Sequence, residues 1–396
     1  MRAYSASSEE ALRARDLLKD WAGEGFVTPV QYQSIEQETV CELRRTNIFL
    51  RLVLFFFTLI IAGAAVALFF SVFLTNSSQQ TTGLILMVFA AIAYAATEIA
   101  VSQARLYRYG IEEALAVCAV GFLCVGMQGA LFSVPPYSTG GIGFLVPATG
   151  AIVSLWIWHR FGLPYAFFAA MIFIAWAPSY WTSSHSAQHL LVAAFFAAGL
   201  LTVAVARRRY RFTYLDHQYS IAEALLWLGI YVAINLQLSS LPLGEWWRGL
   251  HTTSEFSRPF YWATWVLTWC LPPVVLARGL RRKDRFVVDV GAILAVLTLV
   301  TNKPYLGWER HTWDPMLLGA LMIGVALFLR RWLAGESRYG FTARRLSGRD
   351  KAWMNAGTSA LGFVSPPTVT ASPQTGNSDV HFGGGDSGGA GASSDF

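Results

Sequence analysis

Two related stretches place acids directly in front of lipid-soluble runs. "YGIEEALAV" at 109–117 carries Glu112 and Glu113, and "YSIAEALLW" at 219–227 carries Glu223. Acids at such an edge either cap a helix or serve as stations on a proton or cation path. A helix N-terminus has unsatisfied N–H groups and a partial positive charge, so a nearby carboxylate is favoured there by about 0.3–1 kcal/mol. Glu112 and Glu113 stand at such a start. Ser220 and Glu223 have the S-x-x-E spacing of a capping box, and Arg285 with Asp289 forms an i,i+4 pair in a first turn. Capping is the favoured reading of these acids.

Glu98 differs. "AYAATEIAVSQAR" places it near a helix C-terminus, where the dipole repels negative charge. It lies about 10 Å deeper than Arg105 along the helix and on a similar face. Two readings stay open: a structural pair with a basic or hydroxyl neighbour, and a protonatable or cation-binding site. Glu98 is the first-choice site residue, because an ionisable group inside a span is costly and faces protein or water.

Weaker chemistry sits elsewhere. His185 and His189 share a helix face at i,i+4, a spacing that suits a metal, although interfacial histidines without a ligand are commoner. His251, His311, Glu255, Glu309 and Asp314 lie on the same side of the membrane. Pro272 and Pro273 interrupt an apolar span, and broken helices line many transporter sites. The chain has four cysteines, without a CxxC pair. It has no P-loop, no G-x-S-x-G elbow and no H-E-x-x-H. No cofactor is expected.

These residues must be positioned by membrane helices. The 396-residue chain is 54% hydrophobic and 14% charged, whereas a soluble domain carries about 25% charge. About ten stretches suit crossings of a bilayer core, near 48–74, 83–101, 111–133, 141–159, 163–181, 188–206, 219–242, 260–277, 286–301 and 315–334. With the N-terminus cytoplasmic, every Lys and Arg except Arg248, Arg258, Lys303 and Arg310 falls on the inner side. The positive-inside rule then predicts both termini in the cytoplasm. Trp and Tyr near the span ends read as an interfacial belt. The fold expected is an all-α membrane helix bundle, with the bilayer and anionic inner-leaflet lipids as partners and no nucleic acid. The likeness of 109–115 to 219–225 suggests a parallel repeat of four spans.

Residues 1–46 read as a cytoplasmic helical hairpin ahead of a bundle at 47–334. Ser7 with Glu10 caps its first helix, and Thr28, Pro29 and Gln31 form a capping box for the second. Leu12, Trp21, Phe26, Tyr32 and Ile35 are candidates for a miniature core. Residues 335–356 are a basic juxtamembrane segment. Residues 357–396, rich in Ser, Pro and Gly, read as disordered.

"LLKDWAGEGFVTPVQYQSI", with Trp21, Gly25, Val27 and Thr28 in a W-x-x-x-G-x-V-T pattern, resembles domain-of-unknown-function family 2157. That resemblance implies a bacterial integral membrane protein and brings no reaction or catalytic residues. The leading expectation is a non-enzymatic accessory or scaffold of the bacterial inner membrane, binding a protein partner through residues 1–46 or the tail. A secondary transporter or channel using Glu98 is the alternative, and an enzyme acting on lipid-linked substrate ranks third.

Overall fold

A computed structural model describes residues 2–23, 25–39, 43–73, 77–132, 143–210, 215–238, 256–306 and 314–333. The expected disordered tail and basic juxtamembrane segment lie outside them. The described residues form helices α1 (Ala6–Gly23), α2 (Pro29–Glu38), α3 (Ile48–Phe73), α4 (Gln79–Ser102), α5 (Ile111–Phe132), α6 (Leu145–Phe161), α7 (Pro164–Trp176), α8 (His185–Arg209), α9 (Asp216–Ile234), α10 (Arg258–Arg282), α11 (Arg285–Tyr305) and α12 (Asp314–Leu333). A 3₁₀ turn, Ala177–Tyr180, extends α7. Among the described residues no strand forms, only one isolated bridge between Arg44 and Leu106.

Helices α3, α4, α5, α8, α10 and α11 are long and apolar enough to cross a membrane. Their outward faces carry large apolar side chains, such as Phe56, Phe57 and Ile60 on α3, which suit a lipid solvent. The other apolar helices, α6, α7, α9 and α12, start and stop close to the remaining expected spans.

The bundle repeats one plan. Helices α4 and α5 pair, as do α6 and α7, and the same succession recurs in α8 with α9 and α10 with α11. Both third helices end in a basic last turn followed by a left-handed cap, Gly162 (φ 72°) after α6 and Lys283 (φ 54°) after α10. Left-handed backbone closes a helix sharply, so the next helix can fold back at once.

Close backbone approach holds α4 to α5. A Cβ on Gly83 would lie 2.5 Å from the Ala130 nitrogen and the Gly126 oxygen, and one on Gly126 would lie 2.6 Å from the Gly83 oxygen. Small residues of this kind let membrane helices meet at van der Waals distance, where packing rather than the hydrophobic effect drives association. The largest core cluster joins Ile157, Trp158, Phe161, Phe167, Met171, Phe196, Leu226 and Ile230 from α6, α7, α8 and α9, and it includes Tyr4.

The N-terminal hairpin forms as α1 and α2, with two corrections. The cap of α1 is Ser5, whose Oγ accepts the Ser8 N–H at 3.2 Å, rather than Ser7. The expected miniature core does not close: Trp21 and Phe26 are 49% and 61% exposed. A two-helix unit is too small to bury both faces, and α1 instead turns Leu18 and Glu9 inward. The capping box of α2 is present. Thr28 Oγ1 accepts the Gln31 N–H at 3.3 Å, and Gln31 Oε1 accepts the Thr28 N–H at 3.0 Å.

Residues 2–5 and 43–47 fasten this hairpin to the bundle. The Ala3 N–H donates to the Arg160 carbonyl at 2.9 Å, and the Arg44 N–H and carbonyl bond to Arg105 and Tyr107, each at 3.0 Å. The Tyr4 hydroxyl donates to the Leu106 carbonyl at 3.0 Å.

Replacing Gly83 or Gly126 with valine forces α4 and α5 apart. The expected loss is about 1–3 kcal/mol or more, read as a lower unfolding midpoint of the purified protein in detergent. Gly63→Val serves as the control, because its Cβ would meet nothing within 4 Å.

Candidate functional site

The starts of α5, α9 and α11 meet the ends of α4, α6, α8 and α10 at one end of the bundle. The alternating hairpins bring them there, and the acids and arginines of the sequence meet as a result.

Glu98, the first-choice residue, is held by Arg160 from the end of α6, and both side chains are partly exposed. Arg105 sits in the following loop with φ 52°. The structure therefore realises the pairing reading for Glu98, with a partner from another helix. Glu112 caps α5 as expected, its Oε1 accepting the Tyr109 N–H at 2.7 Å. Glu113 reaches Arg51 of α3 in a two-pronged contact, with Arg51 Nε 2.8 Å from Oε2 and its NH2 on Oε1.

Glu223 overturns the capping-box expectation. Helix α9 begins at Asp216, so Ser220 and Glu223 lie inside it. The Ser220 hydroxyl turns to Asp284, 2.7 Å away. Glu223 is fully buried, and three guanidiniums converge on it: Arg207 at 2.9 Å, Arg278 at 2.5 Å and Arg282 at 3.2 Å. Arg207 also holds Asp284 and, at 2.9 Å, Asp216. Burying a lone carboxylate costs several kcal/mol, and charge-assisted hydrogen bonds of this number offset that cost. Asp289 and Arg285 form the expected i,i+4 pair at 3.8 Å, with side chains 61% and 72% exposed. Solvent screens that pair.

A polar seam rises from Glu223 along α9. Glu223, Trp227, Tyr231 and Asn235 share one face at four-residue steps. Asn235 Nδ2 donates to the Tyr231 hydroxyl and to Thr301 Oγ1, both at 2.9 Å, and Tyr231 Oη lies 2.8 Å from Thr298 Oγ1. The Thr298 hydroxyl shares its one proton between the Thr268 carbonyl at 3.0 Å and the Leu294 carbonyl of its own helix at 2.9 Å. Thr268 stands four residues before Pro272, which lacks the N–H that would occupy this carbonyl.

The expected interruption at Pro272 and Pro273 is thus absent, because α10 runs through both prolines. The carbonyl freed by Pro272 is taken by a neighbouring hydroxyl. Trp227 Nε1, between Glu223 and Tyr231, is buried without a partner.

His189 Nδ1 donates to the Ala233 carbonyl at 2.7 Å, so a backbone bond occupies this ring nitrogen. Among the described residues no group of three His, Cys, Asp or Glu is placed to hold a metal. His251, His311, Glu255 and Glu309 lie outside them. A cavity of about 280 Å³ opens at the charged end, lined by Arg2, Trp158, His159, Tyr210, Leu215, Gln218 and Tyr219. It does not include Glu98.

The sequence reading missed Arg51, Arg160, Arg207, Arg278 and Arg282, which it counted only as topological charge, and it passed over Asp284. It also missed the seam, although the four-residue spacing of Glu223, Trp227, Tyr231 and Asn235 was there to be read. These elements define an all-helical protein with membrane-capable helices and a buried charge lock at one end. No family model, no curated protein and no solved structure matches the chain.

Glu223→Ala removes the buried carboxylate that three part-buried arginines share, while Arg207 keeps Asp216 and Asp284, and should cost about 1.5–3 kcal/mol, whereas Asp289→Asn should cost about 0–1 kcal/mol. Denaturant unfolding in detergent measures both. Thr298→Val orphans the Thr268 carbonyl and should cost about 1–3 kcal/mol in the same assay.

Proposed function

We propose that the chain is a non-enzymatic scaffold of about ten membrane spans in a bacterial inner membrane, with both termini cytoplasmic. One observation carries this reading. The hairpin is stitched to the charged end of the bundle by residues 2–5 and 43–47, yet Trp21, Phe26 and Val30 stay exposed. A helical hairpin anchored on one side and apolar on the other is suited to receiving a partner protein. The likeness of this segment to domain-of-unknown-function family 2157 agrees with a membrane setting. Basic residues gathered at the same end agree with a cytoplasmic orientation.

A second reading, carriage of a small solute or ion, draws on the polar seam of α9 and on Pro272. The arginine partners of Glu98, Glu113 and Glu223 weigh against it, since a carboxylate locked by guanidinium groups is a poor station for a travelling cation.

A photo-crosslinking residue at Phe26 tests the scaffold in cells. The expected result is one defined protein adduct, lost when Trp21→Ser is added. Solute- or ion-driven flux into liposomes containing the purified protein, abolished by Glu98→Gln, would overturn the scaffold in favour of carriage.

A further inference from the structure

Helix α2 buries none of its ten residues. A lone helix shorter than about 12–15 residues is marginal in water, so α2 needs a surface to lie against. It packs on α1, where Arg15 meets Glu36 at 2.7 Å. Beyond that contact a groove of about 330 Å³ stays open, lined by Phe26, Val27, Gln31, Ser34 and Ile35. Gln31, Ser34, Ile35 and Glu38 follow at three- and four-residue steps, so the groove runs along one face of α2 and Glu38 stands at its end.

Charge narrows what fits there. From 20 to 43 the sequence holds five acids and no lysine or arginine, and residues 1–46 carry eight acids against six bases in a chain that is basic overall. Arg15 answers Glu36, whereas the exposed Glu38 carboxylate has no ion pair among the described residues. Glu38 also lies in the last turn of α2, which contains no base and whose carbonyl end adds partial negative charge. The groove is therefore apolar along its length and negative at one end. An anionic leaflet would repel it. A twofold pair of chains joined here would set the acidic face against itself.

We infer that the groove receives a cationic amphipathic helix of a partner protein, with a Lys or Arg of that helix paired to Glu38. Its apolar side chains would seat between Phe26 and Ile35. Helix-in-groove docking uses anchors at i, i+3 or i+4 and i+7, and α2 presents a matching face of that length. The inference rests on the scaffold reading and names the class of partner the hairpin takes.

The test puts a photo-crosslinking residue at Ser34 of the full-length protein in cells and sequences the captured segment. The expected adduct lies on one partner protein, in a segment whose apolar residues recur at helical spacing beside Lys or Arg. Glu38→Lys should lower its yield about tenfold, while Glu10→Lys, the same charge change on α1, should leave it unaltered. In permeabilised cells the wild-type yield should fall between about 0.1 M and 1 M salt, as the screening length shrinks from about 10 Å to 3 Å. An adduct on an acidic or uncharged partner segment, or one insensitive to Glu38→Lys or to salt, would overturn the inference and leave the scaffold reading standing. An adduct on a second copy of this chain would also overturn the inference. Lipid adducts alone, or none, would overturn both.

Discussion

A carboxylate carried into an apolar bundle must find a cation, and the architecture is arranged around that demand. Lipid and packed side chains offer no water to stabilise the charge, so every inward acid needs a donor from a neighbouring helix. Hairpins that run out and back return the helix ends to one level, where arginines near one helix end meet acids near another. Arg160 reaches Glu98, Arg51 reaches Glu113, and Arg207, Arg278 and Arg282 reach Glu223. The helix dipoles favour most of this placement, with acids at N-termini and bases at C-termini, while Glu98 near the end of α4 and Arg51 in the first turn of α3 stand against their dipoles and call for direct partners.

Between those ends, the helices are held by shape and hydrogen bonding. The α4–α5 contact depends on Gly83 and Gly126, whose missing side chains let backbones touch. The contact of α9 with α10 and α11 uses hydroxyls and an amide, and it heals the gap left by Pro272. A proline in a membrane helix is tolerated where a neighbour re-satisfies the freed carbonyl. Thr298 does so here, and α10 stays continuous.

Much of the helical frame was legible in the sequence, because apolar runs between turn-forming and basic segments leave few alternatives. The box at Thr28 and Gln31 was legible too, since capping is a local affair. Partners were not. The sequence left the partner of Glu98 as an unnamed basic or hydroxyl neighbour, and its bond goes to Arg160, 62 positions away. Ser220 and Glu223 have capping-box spacing, but helix start signals compete, and α9 opens at Asp216 instead. The exposed Trp21 and Phe26 also escaped the reading, because hydrophobic spacing suggests a core without saying whether enough chain is present to close it.

Side-specific labelling of single cysteines reports most directly whether the charged helix ends share one face of the membrane. Gln103→Cys, His159→Cys, Arg208→Cys and Arg281→Cys, each in a cysteine-free background, mark the C-terminal ends of α4, α6, α8 and α10, and Ser183→Cys marks the opposite end of the bundle. A membrane-impermeant thiol reagent should modify the first four in inside-out vesicles alone and Ser183→Cys in right-side-out vesicles alone. Labelling of any two of the four from opposite faces would contradict the account.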